Sequence, residues 1–396
     1  MAAVDKCNAV AETADLPSCH PGLPSFYEEV KGVLTTLKQA LLRNYLPFAF
    51  FVAFVVALSW PQAGSKVLEP QVAGVHVVTF INICTVFFIS GLTLNTDDLK
   101  AAFTRRTVAG TLFVLISIIG ITPNLGWAVR ELPFSPAEFA TGMTIFCVVP
   151  TTLGVGVSLV TTAKGNVGLA IFATVASNVL GVLVIPLWLK AMLSSGSSGV
   201  AKLDISYVDI FVKLLISFFV PSLVGKVVRE TVPRAKQWQK QHKILLGLIN
   251  NTSLALIIWQ TISSGRGIIV NAGFGNMLIV IVSTILIHIV YLIFNTVVVV
   301  LLQLPLEEGI AAVIMASQKS APVAVTVITY ITQDTHAQGV LAVPSVIGQL
   351  SQIFLGQPIA HCMASIVIRR ARSRKQYADT AKTAALVAGE GMKPQV

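Results

Sequence analysis

From residue 42 to residue 368 the chain alternates apolar runs with short clusters of Pro, Gly and charge. A helix that crosses about 30 Å of hydrocarbon needs roughly 20 apolar residues. Ten runs near that length can be drawn, at 42–59, 72–94, 107–128, 138–162, 167–193, 207–228, 244–263, 277–303, 309–331 and 340–368. The pattern predicts an all-α membrane protein with ten transmembrane helices. Exits from lipid are expected at 60–71, 95–106, 229–243 and 264–276, and the fourth and fifth runs part only at Lys164, Gly165 and Asn166. Residues 1–40, with Asp5, Glu12, Asp15, Glu28 and Glu29 among three prolines, read as a polar leader. Neither a cleavable secretory signal nor an Arg-rich, acid-poor transit segment is read there.

Prolines then reveal an internal repeat. Leu132-Pro133 recurs as Leu304-Pro305, Pro150 as Pro322 and Pro186 as Pro358, all at one ungapped offset of 172. The offset equals five runs. Because five is odd, the second copy enters the membrane the other way up, and the halves form an inverted repeat. The expected organisation is a leader (1–40), a first five-helix repeat (41–195), a linker (196–206), a second repeat (207–368) and a basic, disordered tail (369–396). Runs four and nine become paired discontinuous helices, broken at Pro150 and Pro322.

Composition agrees with the hydropathy pattern. Of 396 residues 54% are hydrophobic and only 12% charged, with mean hydropathy +0.78, too few charges to cover a soluble globule. The net charge of +10 does not point to nucleic acid, since basic residues sit at the ends of apolar runs rather than on one face with aromatics. Counted by side, eighteen Lys and Arg, from Lys31 through the Arg229–Lys243 stretch to Lys375, lie with the termini. Only Lys66, Arg130, Lys190, Lys202 and Arg266 lie opposite. That bias places both termini on the cytosolic or equivalent side. Cys7, Cys19, Cys84, Cys147 and Cys362 form no C-x-x-C pair and no zinc spacing. No nucleotide, hydrolase or zinc-protease motif occurs, so catalysis is not expected.

The polar chemistry concentrates in 311–330. Lys319 has no charged neighbour within ten positions on either side, so inside a bilayer its ammonium must find partners within the protein or lose its proton. Pro322, lacking an N–H, frees the carbonyl of Gln318. Snorkelling is unfavoured, because about ten residues separate Lys319 from the nearer end of its run. Two readings stay open: a fixed structural cation bonded to freed carbonyls and to Thr151, Thr152 or Ser317, or a group that binds an anionic substrate and titrates during transport. The fourth run supplies matching chemistry. Pro150 frees the carbonyl of Phe146, Gly154 and Gly156 allow close backbone approach, and Thr151, Thr152 and Ser158 carry hydroxyls. Ser177 with Asn178, and Gln349 with Gln352, stand where they can support the broken helices. His76, His288 and His361 read as satisfied core or interface residues, and Lys213 as a snorkelling lysine.

Three stretches, Phe88 to Leu99, Cys147 to Ser158 and Ala316 to Pro322, resemble the sodium/bile-acid cotransporter family, in particular its branch of plant plastid sodium/metabolite cotransporter-like proteins. The likeness covers about residues 40 to 370. It implies a panel domain of spans 1, 2, 6 and 7, a core domain of spans 3, 4, 5, 8, 9 and 10, and a substrate crevice between them. The family's ninth-helix sodium pattern, Glu-x-Gly-x-Gln-Asn, falls on Ile314 to Lys319, where only Gln318 is kept. The fourth-helix Ser-Asn pair falls on or beside Gly156 and Val157, and a fifth-helix threonine ligand is retained as Thr174. A sodium ion near Thr174 and Gln318 is therefore the one metal implied, and no other cofactor is. Ile314 in place of a carboxylate removes the anionic ligand, and an ammonium in place of an amide repels sodium. The reading is a secondary transporter of a small organic anion, in the plastid envelope or plasma membrane, with Lys319 standing in for one sodium. The rival reading is a membrane regulator or scaffold that keeps the fold and moves no solute.

Overall fold

The computed structural model describes residues 35, 45–72, 75–96, 108–152, 154–194 and 206–390. The expected leader except Thr35, the 196–206 linker except Ser206, and the Lys100, Arg105 and Arg106 signals lie outside those residues, as do Cys7 and Cys19. The chain divides into two compact units, 1–45 and 46–396, and the architecture below concerns the second.

Helices dominate. α1 (Tyr45–Ser59) meets α2 (Pro61–Val67) at a bend of 101°. After a two-residue antiparallel ladder, β1 (Gln71–Val72) with β2 (Val75–His76), comes α3 (Val77–Thr93). α4 (Val108–Ile116) passes through a π turn (Ser117–Ile121) and a 3₁₀ turn into α5 (Leu125–Val129). Next come α6 (Glu138–Val148), α7 (Val155–Thr162) and α8 (Val167–Ser194). α9 (Tyr207–Leu214) continues through a second π turn into α10 (Val220–Thr231), which the short α11 (Pro233–Gln241) joins to α12 (Lys243–Asn271). α13 (Gly273–Leu301), α14 (Leu306–Ser317), α15 (Ala321–Ile331) and α16 (Thr335–Glu390) complete the chain.

Among the described residues, seven helical segments are long and apolar enough to cross a membrane, or eight if the bent α1–α2 pair is one span. The expected runs 72–94 and 138–162 fall short of that test for physical reasons. α3 begins only at Val77, after the ladder, and α6 stops at Val148, before a proline. Other boundaries move outward. The stretch 264–276, expected as a loop, is helix to Asn271, because its polar groups find partners. Ser264 Oγ donates to Thr335 O at 2.6 Å and Arg266 Nε donates to Leu58 O at 2.6 Å. Within the expected 229–243 exit lies α11. The tail after 368, expected to be disordered, carries α16 on to Glu390, through Ala, Arg, Lys and Gln, all strong helix formers. The 164–166 exit is a Schellman turn. Lys164 takes φ 58°, its N–H bonds Thr161 O at 3.2 Å, and Gly165 N–H bonds Val160 O at 2.9 Å.

α3 lies along α10 and α12, while α14 is enclosed by α4, α7, α8 and α13. α6, α12, α13 and α15 all pack on α16. Small residues allow the closest of these contacts. A Cβ on Gly142 of α6 would collide with the carbonyl of Leu341 in α16, and one on Gly225 of α10 with the carbonyl of Phe88 in α3.

Candidate functional site

Two interrupted helices meet in the interior. α6 ends at Val148 because Pro150 drives the residue before it out of the helical region, and Val149 sits at φ −67°, ψ 155°. The chain resumes helix at Val155. In the second, Gln318 and Ser320 are extended, and α15 starts at Ala321 with Pro322 in its first turn, where a missing N–H costs no hydrogen bond. The second gap thus precedes Pro322, whereas the first starts at Val149 and contains Pro150. This corrects the expectation of equivalent breaks. A proline ends a helix through its predecessor and starts one through its own φ, so one offset aligns the prolines and not the gaps.

The gaps touch. Ser320 N–H donates to Pro150 O at 3.1 Å, and Thr151 Oγ1 donates to Met315 O at 2.8 Å. Two further amides at the second gap are taken up by side chains, as buried backbone requires. Lys319 N–H donates to Gln352 Oε1 and Ala321 N–H to Gln349 Oε1, both at 3.0 Å. Asn178 Nδ2 donates to Thr151 O at 3.3 Å and to Thr174 O at 2.7 Å.

Lys319 is fully buried, and its Nζ donates to Ile118 O at 3.1 Å. That carbonyl lacks its helical N–H partner because of the π turn, and besides Nζ it accepts a longer bond from Thr122 Oγ1 at 3.3 Å. Pro123 offers no N–H, the helix widens, and Thr122 N–H bonds Ser117 O in place of Ile118 O. The next carbonyl, Ile119 O, accepts from Trp188 Nε1 at 2.9 Å. Nζ also lies 5.8 Å from the Tyr291 ring centroid, and Tyr291 Oη donates to Thr122 O at 2.9 Å. Asn295 Nδ2 donates to Ser317 Oγ at 3.0 Å while its Oδ1 accepts from Ser117 Oγ at 2.6 Å. His288 Nδ1 is 3.1 Å from Ser317 O. Among the described residues the ion pairs are Arg130–Glu131, Lys213–Asp209 and Lys226–Glu230, so none reaches Lys319.

The expected partners of the ammonium are therefore corrected. Thr151 bonds Met315, Thr152 Oγ1 accepts the Gly156 N–H at 2.7 Å, and Ser317 bonds Asn295. At Gly156 the close approach is that of a side chain and not of another backbone, since a Cβ there would lie 2.8 Å from Met315 Sδ. Gly154 and Ser158 are exposed and stand apart from the crossing. Thr174 Oγ1 donates to Ala170 O at 2.9 Å, and Ser177 Oγ to Thr174 O at 3.3 Å. Sequence reasoning missed Ile118, Tyr291 and Asn295; a proline at 123 and an asparagine at 295, each inside an apolar run, were the available signals. Gln318 Oε1 and Asn178 Oδ1 are buried without partners.

A cavity of about 690 Å³, its open mouth included, lies beside this crossing between α3, α8 and α10. Its wall is apolar, with Phe87, Val182 and Phe218, but Thr174 and Asn178 face it, and Lys226 is part of its lining. Lys226 Nζ donates to Leu94 O at 3.1 Å and to Glu230 Oε1 at 2.6 Å. Lys319, Thr151 and Gln318 do not line it.

Long apolar helices around two interrupted helices that touch inside the protein, next to an open cavity, make an integral membrane protein built on transporter lines. The chain belongs to the SBF-like CPA transporter family, whose profile matches residues 44–365. It is 30% identical over 345 residues to a probable sodium/metabolite cotransporter BASS4, chloroplastic, of Arabidopsis thaliana, covering 85% of this chain and 76% of that protein. It is 24% identical over 364 residues to sodium/bile acid cotransporter 7-B of Xenopus laevis, covering 86% and 97%. The family consists of transporters, not enzymes.

Proposed function

We propose that the protein is a secondary transporter that moves a small organic anion by alternating access, without the sodium ion its relatives are named for. In this reading the ten runs form two inverted five-helix repeats, and the termini face the cytosolic side of the plastid envelope or plasma membrane. The anion enters the cavity between α3, α8 and α10, where Lys226 attracts it and Thr174 and Asn178 offer hydrogen bonds. Pro150 and Pro322 keep the crossed helices open, and Thr151, Thr152, Gln318 and Lys319 hold the junction.

The observation that carries the reading is Lys319: a buried ammonium on the carbonyl of Ile118, at the crossing, in the stretch where the family pattern has sodium ligands. A fixed charge there supplies what a bound sodium would, and repels a second cation by about 4 kcal/mol at 4 Å and an effective dielectric near 20. The regulator reading draws on one fact, that Lys319 does not line the cavity. Purified protein in proteoliposomes, offered a panel of radiolabelled carboxylates and sulfate esters, separates the two. Transport requires accumulation of at least one anion above empty vesicles, lost in Lys319→Ala. Regulation requires that none accumulates while cells carrying Lys319→Ala still lose function.

A further inference from the structure

The connection α11 is charged in a way that the crossing and the cavity do not use. Arg234, Lys236 and Lys240 are exposed along it, and Lys243 follows at the start of α12. From Thr231 to Leu306 the sequence has no Asp or Glu, and Glu230, the nearest acid on the N-terminal side, is already held by Lys226 at 2.6 Å. The same helix exposes Trp238, 45% accessible and stacked on His242 at 4.7 Å, and beside it stand the exposed apolar Val232 and Ile244. Cations that outnumber the one acid in reach, Glu230, with an indole and an apolar fringe on a short helix joining two spans, are the make-up of a segment lying at the headgroup level of an anionic leaflet. The inner side of α11 is fixed. Buried Gln239 accepts from Arg229 Nη1 at 3.1 Å, and Arg229 Nη1 also donates to Leu92 O at 3.0 Å, at the end of α3 beside the cavity mouth.

We infer that α11 is a binding surface for anionic phospholipid headgroups, tied to the end of α3 through Arg229 of α10. The inference does not depend on what the protein transports. The test uses the full-length protein in neutral detergent and follows its melting as phosphatidylglycerol, phosphatidylcholine or free glycerol phosphate is added. Phosphatidylglycerol is expected to raise the melting temperature of wild type, less so in high salt, and the other two are expected to have no effect at the same concentration. Replacing Arg234, Lys236, Lys240 and Lys243 together by Gln should raise the phosphatidylglycerol needed for half the effect by at least about tenfold. Lys236→Glu with Lys240→Glu, which removes the same four units of positive charge at only two positions, should do so in the same direction. An unchanged response in either variant overturns the proposal. So does an equal response to phosphatidylcholine, which would mean bulk lipid, or to glycerol phosphate, which would mean a simple anion site.

Discussion

If Lys319 occupies the place of a sodium ion, exchanging it for the family's ligands should create a sodium site where wild type has none. The perturbation is Ile314→Glu with Lys319→Asn. Ile314 is 4% exposed and Lys319 fully buried, so both replacements act away from bulk water. Removing a unit charge about 4 Å from a cation lifts roughly 4 kcal/mol of repulsion at an effective dielectric near 20, three powers of ten in affinity. The added carboxylate pulls in the same direction. With sodium at 100 times its dissociation constant the folded state gains about 2.7 kcal/mol. For a chain of this size that corresponds to a rise of about 3 °C in melting temperature. The assay is thermal unfolding in detergent, with NaCl against KCl at one ionic strength. Wild type should melt identically in the two salts and the double variant about 3 °C higher in NaCl. The single variant Lys319→Asn should fall between. A wild type already stabilised by sodium over potassium would refute the reasoning.

Other expectations follow from single contacts. Asn295→Leu leaves Ser117 and Ser317 unpaired in the interior and should cost about 2–4 kcal/mol, measured by chemical unfolding in detergent. Gly142→Val drives a side chain into the Leu341 carbonyl and should destabilise by at least about 3 kcal/mol, whereas Gly154→Ala, with nothing within 4 Å, should be neutral. Lys226→Gln should raise the KM for the transported anion several-fold and flatten its salt dependence, with the maximal rate kept, because the residue lines the cavity and touches neither gap. Pro123→Ala restores an N–H that competes for Ile119 O, tightens the π turn and should lower transport without a large loss of fold, read as uptake against melting temperature.

The apolar runs locate the helices because burial in lipid needs unbroken hydrophobic length, and that need is written residue by residue. Lys319 was legible as an outlier for the same reason. Its partner was not. Ile118 looks like any other apolar residue, and what it contributes is a carbonyl made available by a change of helix type five residues ahead of a proline. Helix ends were misread where polar residues are satisfied by distant backbone, as Ser264 and Arg266 are by Thr335 and Leu58. Local composition carries no record of such partners. Pro150 and Pro322 marked both gaps, but on which side of each proline the gap falls depends on the capping of the neighbouring turn. Asn178, Gln349 and Gln352 were placed near the crossing from their polarity alone, and they reach it as donors and acceptors to the gap backbone.

The central claim, that an internal ammonium replaces the coupling ion, is tested most directly by anion uptake into proteoliposomes holding the wild-type protein, with external sodium replaced mole for mole by potassium. The account predicts equal initial rates and equal final levels in the two salts. Uptake that requires sodium, with Lys319 intact, would contradict it.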